Sequence, residues 1–106
     1  MKTYNKLIRD KIPEIIEASG KTCKTYVLSA EAFKSELKKK VVEEAIELQN
    51  ATTKKDIIEE VADIYEILDY IKSLHNIDEE TIRLKQNSKN EDRGKFDKRI
   101  FLELVE

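Results

Sequence analysis

Two short acidic stretches, each set within an apolar helical pattern, are the parts of this chain best suited to chemistry. They read Glu43-Glu44-Ala45-Ile46-Glu47 and Glu59-Glu60-Val61-Ala62-Asp63. A carboxylate on an apolar helix face needs a partner charge or a metal ion, since an isolated buried charge takes up a proton instead. Groups of carboxylate oxygens suit Mg²⁺ or Mn²⁺. The two stretches therefore predict a site for a divalent metal.

The helical positions of these acids predict which of them point inward. At about 100° per residue, Glu44 falls in the middle of an apolar stripe, and Glu47 lies at its edge beside Lys40. In the second stretch Glu60 falls within the stripe and Asp63 lies at its margin. Two such helices packed face to face would bring four carboxylates together, and a divalent cation would remove their repulsion.

A second explanation of the same pattern needs no metal. Glutamates one turn apart are common on charged helices, where they form a solvated face or a network of interhelical salt bridges. Each stretch, however, places a carboxylate where an aliphatic side chain is expected. We therefore favour the metal site over the solvated face.

The elements that must position these residues are mainly helices. The periodicity predicts four of them, over residues 10 to 19, 30 to 50, 54 to 75 and 78 to 91. Ser29, Thr53 and Asp78 are suitable N-caps for the last three. The connections are short, so the helices are expected to run antiparallel as a small bundle.

Two other segments are rich in residues that favour β-strands. Residues 22 to 28 read Thr-Cys-Lys-Thr-Tyr-Val-Leu, and residues 99 to 105 read Arg-Ile-Phe-Leu-Glu-Leu-Val. A single β-strand is not stable without a partner strand, so we expect these two segments to pair. The predicted fold is thus mainly α, a small antiparallel bundle of about four helices with a short two-stranded β ribbon.

Composition limits the remaining classes of function. A chain of 106 residues predicts a single domain over residues 1–106. Charged residues are 40% of the chain, but 20 Lys and Arg against 22 Asp and Glu argue against a nucleic-acid partner.

The single Cys23 excludes an internal disulfide and fits a reducing compartment. No apolar run suits a signal peptide or a membrane span, so we expect a cytoplasmic protein with no membrane partner.

The acidic spacing resembles that of the MazG-like, all-α nucleoside triphosphate pyrophosphohydrolases. Their signature is Glu-Glu-x-x-Glu on one helix followed by Glu-x-x-Asp on the next. The matching positions are Glu43, Glu44, Glu47, Glu60 and Asp63. The resemblance extends along most of the chain.

Both ends resemble a compact bacterial and phage subgroup, often described as phosphoribosyl-ATP pyrophosphohydrolase-like. Residues 4 to 16 are similar to its opening, and residues 93 to 102 are similar to its closing segment. The subgroup more often has a second glycine at the position of Lys95. The likeness also suggests a homodimer or a homotetramer, which would help so small a domain to bury its apolar surface.

The resemblance implies hydrolysis of a nucleoside triphosphate to its monophosphate and pyrophosphate, as in the removal of unwanted nucleotides. It implies Mg²⁺, with Mn²⁺ as an alternative, held by Glu44, Glu47, Glu60 and Asp63. Either Glu43 or Glu47 would orient the attacking water. Cations that would bind the phosphates are Lys40, Lys6, Arg9, Lys11, Lys89, Arg93, Lys98 and Arg99. We expect the ribbon to gather those at the two ends near the metal.

Other functions remain as alternatives. One is a phosphoribosyl-ATP pyrophosphohydrolase, which belongs to the same class of reaction. Another is a non-catalytic helical module whose acidic faces bind a basic partner, with no metal requirement. A third is a protein that binds the nucleotide without cleaving it.

Overall fold

Four α-helices make up the regular structure of the chain in the computed structural model, which describes residues 2–106. They are α1 (Ile12–Ala18), α2 (Ala30–Asn50), α3 (Lys54–Leu74) and α4 (Glu79–Arg93). The prediction of a mainly α fold is confirmed. None of these helices is both long and apolar enough to cross a bilayer.

Side-chain caps explain where the last three helices begin. Ser29 accepts a hydrogen bond from the Ala32 backbone N–H at 3.2 Å. Thr53 and Asp78 cap α3 and α4 in the same way, at 3.1 and 2.9 Å. Each cap satisfies an N–H group that has no partner within its helix, so the starts predicted from these residues are confirmed.

The helices α2 and α3 form the structural centre of the chain. The connection between them spans only residues 51 to 53, so they run antiparallel as neighbours. Among the described helices, these two pack against each other most extensively. Leu37 of α2 and Ile67 of α3 are the buried apolar residues of this pair. The site must therefore be built on α2 and α3, the one extensive packing in the described chain.

The predicted β ribbon is wrong. Residues 22 to 28 and 99 to 105 form no strand within the described chain. Arg99, at the start of the second segment, has a φ of 54° and donates its N–H to the Phe96 carbonyl at 3.1 Å. This is a turn with left-handed backbone, which a β ladder cannot use. Residues 99 to 105 follow α4, and no β ladder joins them to residues 22 to 28 within the described chain.

The single chain is extended for its length. Its radius of gyration is 18.3 Å, whereas a compact chain of this length has about 13 Å. Its accessible surface is 10017 Å², against about 6,000 Å² for a compact chain of this size. Much apolar surface therefore lies uncovered in one copy, and the four helices do not close into a compact bundle by themselves.

Candidate functional site

Three of the predicted carboxylates come together where α2 packs on α3. Glu44 and Glu47 lie one turn apart on α2, and Glu60 lies on α3. One carboxylate oxygen from each lies within 4.8 Å of the others. We call Glu44, Glu47 and Glu60 the carboxylate cluster.

Burial within the cluster decreases from one member to the next. Glu44 keeps only 7% of its surface exposed, Glu60 is half-buried, and Glu47 is exposed. Glu44 lies two turns after Leu37, and Glu60 lies two turns before Ile67. Both inward acids thus share a helix face with the buried aliphatic residue of their helix, as the apolar stripes predicted.

Two oxygens of the cluster are buried without a hydrogen-bond partner. They are Oε2 of Glu44 and Oε2 of Glu60, for which residues 2–106 supply no donor. Two ionised carboxylates can only accept hydrogen bonds, so they cannot satisfy each other. A proton or a cation between them is needed to compensate the cost of burial.

The Glu60 carboxyl responds to this environment by holding its proton more tightly. Its pKa is raised from the ordinary 4.5 to about 7. The largest cause is a hydrogen bond with the Glu44 carboxyl, which exists when Glu60 is protonated. Burial and the negative charges of Glu47 and Glu44 raise the pKa further. Without a cation, a shared proton is thus the way in which this pair avoids repulsion.

This raised pKa predicts how the stability of the metal-free protein depends on pH. Between pH 4.5 and about 7, folded Glu60 keeps its proton while the unfolded chain loses it. The folded state then binds more protons, so the free energy of unfolding falls as the pH rises through this window. Thermal unfolding in EDTA should show a melting temperature that decreases from pH 4.5 to 7.

The variant Glu60→Gln serves as the control for this pH dependence. Its amide does not titrate, so the part of the decrease that belongs to Glu60 should disappear. Saturating Mg²⁺ should also reduce the decrease in the wild type, because a metal competes with the proton. Equal slopes in the wild type and the variant in EDTA would contradict the assignment.

The remaining two carboxylates of the predicted set lie beside the cluster and are held by cations. Glu43 is contacted by Lys40 Nζ at 3.2 Å and by Lys6 Nζ at 3.6 Å. Asp63 accepts a hydrogen bond from Arg9 Nη2 at 2.8 Å. Residues 2 to 11, which we call the N-terminal segment, thereby reach both α2 and α3 next to the cluster.

Only some of the predicted cations are brought to this region. Lys40, Lys6 and Arg9 are close, and Lys40 Nζ also lies 4.0 Å from Oε1 of the buried Glu44. The other predicted cations form no ion pair with the acidic residues within the described chain; they are Lys11, Lys89, Arg93, Lys98 and Arg99. Because no β ribbon forms within the described chain, the C-terminal cations are not brought to the cluster.

Sequence reasoning missed two features of the site. Lys40 contacts Glu43 rather than Glu47, a pairing that the three-residue spacing on one helix had signalled. The hydrogen bond between Arg9 and Asp63 joins residues far apart in the chain, and no local sequence pattern predicts it. Both contacts place positive charge against the acids that flank the cluster.

The arrangement as a whole is an all-oxygen set of three convergent carboxylates, bordered by three cations. Such a set can hold a hard divalent cation, and the bordering cations can bind an anionic ligand beside it. The cluster alone does not name the ligand. Searches against protein-family models, curated proteins and solved structures give no match for this chain.

Proposed function

We propose that this protein hydrolyses a nucleoside triphosphate, canonical or modified, to the monophosphate and pyrophosphate with the help of Mg²⁺. The role would be the removal of unwanted nucleotides, as the resemblance to the MazG-like enzymes implies. One observation carries the proposal: carboxylate oxygens of Glu44, Glu47 and Glu60 converge from two helices within 4.8 Å. Their spacing in the sequence is that of the MazG-like signature.

The residues present fit a magnesium or manganese ion. The cluster offers only carboxylate oxygens, which these ions prefer. The buried Oε2 atoms of Glu44 and Glu60 have no donor among the described residues, so a cation would satisfy both. The holding residues would be Glu44, Glu47 and Glu60, with Asp63 one turn further along α3. When bound, the metal would neutralise phosphate charge and polarise the phosphoryl group.

The chain's own residues would then position the reactants. Lys40, Lys6 and Arg9 carry the positive charge next to the cluster and would bind phosphate oxygens. The oxygen of a water molecule forms a new bond to the α-phosphorus while the bond to the departing pyrophosphate breaks. Glu43 or Glu47 would orient this water and accept its proton.

A direct assay tests the proposal. The full chain should release pyrophosphate and the monophosphate from at least one member of a panel of canonical and modified nucleoside triphosphates. Release should require Mg²⁺ or Mn²⁺ and stop in EDTA. Phosphoribosyl-ATP belongs in the panel, because preference for it would assign the alternative substrate.

Two results, from measurements of triphosphate affinity and melting temperature beside this assay, would contradict the proposal. Metal-dependent affinity for a triphosphate without any product would indicate a nucleotide-binding protein. If Mg²⁺ changes neither the melting temperature nor the affinity for any triphosphate, the acidic faces serve a non-catalytic interaction instead.

A further inference from the structure

Tyr4 is an exposed aromatic residue whose contacts lead to the acids beside the cluster. It is 63% exposed, so the fold uses little of its ring for packing. The Lys6 ammonium lies 5.7 Å from the centroid of this ring, and the same ammonium lies 3.6 Å from Oε1 of Glu43. Lys40 in turn contacts both Glu43 and the buried Glu44. The Tyr4 ring therefore stands at the edge of the candidate site, separated from Glu43 by a single ammonium group.

Two other tyrosines, both on α3, point or lie away from the cluster. Tyr65 is turned about 140° around α3 from Glu60, at 100° per residue. Tyr70 lies about 15 Å further along α3 than Glu60. Its ring packs edge-on against Phe33, with the two centroids 6.2 Å apart. Of these three tyrosines, Tyr4 is the one in place to contact a ligand of the site.

The N-terminal segment carries its side chains in an order that suits a nucleotide. Arg9 donates a hydrogen bond to Asp63 on α3, and Lys6 contacts Glu43 on α2. Tyr4 lies beyond Lys6 in the chain. Two cations suited to phosphate groups are therefore followed by an aromatic ring suited to a base.

An aromatic ring at this place offers a contact that the neighbouring cations cannot make. Every nucleobase is planar and presents a π face, so it can stack on an aromatic side chain. The ammonium groups of Lys2 and Lys6 lie 5.1 and 5.7 Å from the Tyr4 ring centroid, where the negative π face attracts them. The ring is thus held next to positive charge that attracts the phosphates of the same ligand.

We propose that Tyr4 is the platform on which the base of the nucleotide stacks, while Lys6 and Arg9 bind the phosphates. This inference rests on the proposed function in taking the ligand to be a nucleotide. Stacking depends on the face of a base rather than on its hydrogen-bonding edge, so Tyr4 accepts canonical and modified bases alike. Tyr4 then determines the preference for a nucleotide over a simple polyphosphate.

Two probes separate stacking from phosphate binding. One is the α,β-methylene analogue of ATP, in which a methylene group replaces the bridging oxygen that would depart with pyrophosphate. The other is inorganic tripolyphosphate, which has no base. In calorimetric titrations with Mg²⁺, Tyr4→Ala should bind the ATP analogue at least about fivefold more weakly than the wild type. Its affinity for tripolyphosphate should be unchanged.

Three further variants serve as controls for these titrations. Tyr26, in the irregular segment of residues 22 to 28, is 81% exposed, and Tyr26→Ala should bind both probes as the wild type does. Tyr4→Phe should keep the affinity for the ATP analogue, because a phenyl ring retains the stacking face. Arg9→Ala should weaken the binding of both probes, because both carry phosphates.

Fluorescence reports the stacking directly. The chain contains no tryptophan, so Tyr4→Trp would place a single indole at the proposed platform. With Mg²⁺ present, the ATP analogue should quench its emission, because the base stacks on the indole. Tripolyphosphate should leave the emission unchanged.

Three results would overturn the platform. Equal weakening of both probes in Tyr4→Ala would show that Tyr4 only holds the N-terminal segment in place. An unchanged affinity of Tyr4→Ala for the ATP analogue would remove Tyr4 from the site. A wild type that does not bind the ATP analogue would also reject the platform.

The assay of pyrophosphate release decides the proposed function separately. Release with the same KM in the wild type and in Tyr4→Ala would keep the function and reject the platform. A wild type without any product, combined with loss of affinity for the ATP analogue in Tyr4→Ala, would reject hydrolysis and keep Tyr4 as a nucleotide-binding residue.

Discussion

Replacing Glu60 by glutamine is expected to strongly reduce metal-dependent hydrolysis while making the metal-free protein more stable above pH 7. The amide has nearly the same shape, donates a hydrogen bond to Glu44 and carries no charge, so it relieves the repulsion within the cluster. It also removes one ligand of the proposed metal site. Activity should fall by about 10³-fold, as expected when charge stabilisation at a reacting group is lost.

Two measurements check this expectation together. Pyrophosphate release gives the activity, and thermal unfolding with and without Mg²⁺ gives the metal's effect on stability. Above pH 7, where wild-type Glu60 has lost its proton, the melting temperature of Glu60→Gln in EDTA should be higher than that of the wild type. The increase caused by Mg²⁺ should disappear in this variant. Glu44→Ala should also lose activity and the response to Mg²⁺.

The neighbouring Glu59 provides the matched control. It precedes Glu60 on α3, is exposed and lies outside the cluster. Glu59→Gln should keep wild-type turnover and the wild-type response to Mg²⁺. Undiminished turnover in both Glu60→Gln and Glu44→Ala would reject the assignment of the cluster.

Truncating Arg9 to alanine is expected to lower kcat/KM by about 10- to 100-fold, because a charge-assisted hydrogen bond to phosphate is worth roughly 1.5–3 kcal/mol. The loss should appear mainly in KM if Arg9 binds substrate and transition state alike. Stability should change little. The Arg9 side chain is 60% exposed, and exposed ion pairs contribute at most about 1 kcal/mol.

Arg83 is the matched control for Arg9. It is also an exposed arginine in an ion pair, with Nε 3.0 Å from Glu79 on α4. Arg83→Ala should leave the kinetic constants unchanged, and Arg9→Lys should restore part of the loss by keeping the charge without the planar fork. A large drop in melting temperature with normal kinetics in Arg9→Ala would assign the residue a structural role only.

Local chemistry explains which parts of the fold were predictable. An N-cap depends only on residues close together in the sequence. The helices α2, α3 and α4 begin directly after the N-caps Ser29, Thr53 and Asp78. The inward positions of Glu44 and Glu60 follow from helical periodicity alone, so their convergence was also predictable once α2 and α3 were taken as neighbours. These features need only the spacing of residues along one or two helices.

The parts that could not be predicted depend on contacts distant in sequence. Two segments have a composition typical of strands, residues 22 to 28 and residues 99 to 105. Composition does not decide whether a partner strand lies next to them in the fold. The backbone at Arg99 turns instead of extending. Likewise, the bond from Arg9 to Asp63 requires the N-terminal segment to cross two helices, which no local pattern encodes.

The short connection between α2 and α3 has a consequence for how the protein folds. Closing this hairpin brings Glu44 and Glu60 together at a small cost in chain entropy, because few residues separate the two helices. Pairings that are close along the chain form early and quickly. We therefore expect the acidic centre to form in this local step, before the contacts of the two chain ends. Changes in length near either terminus should leave that early step intact.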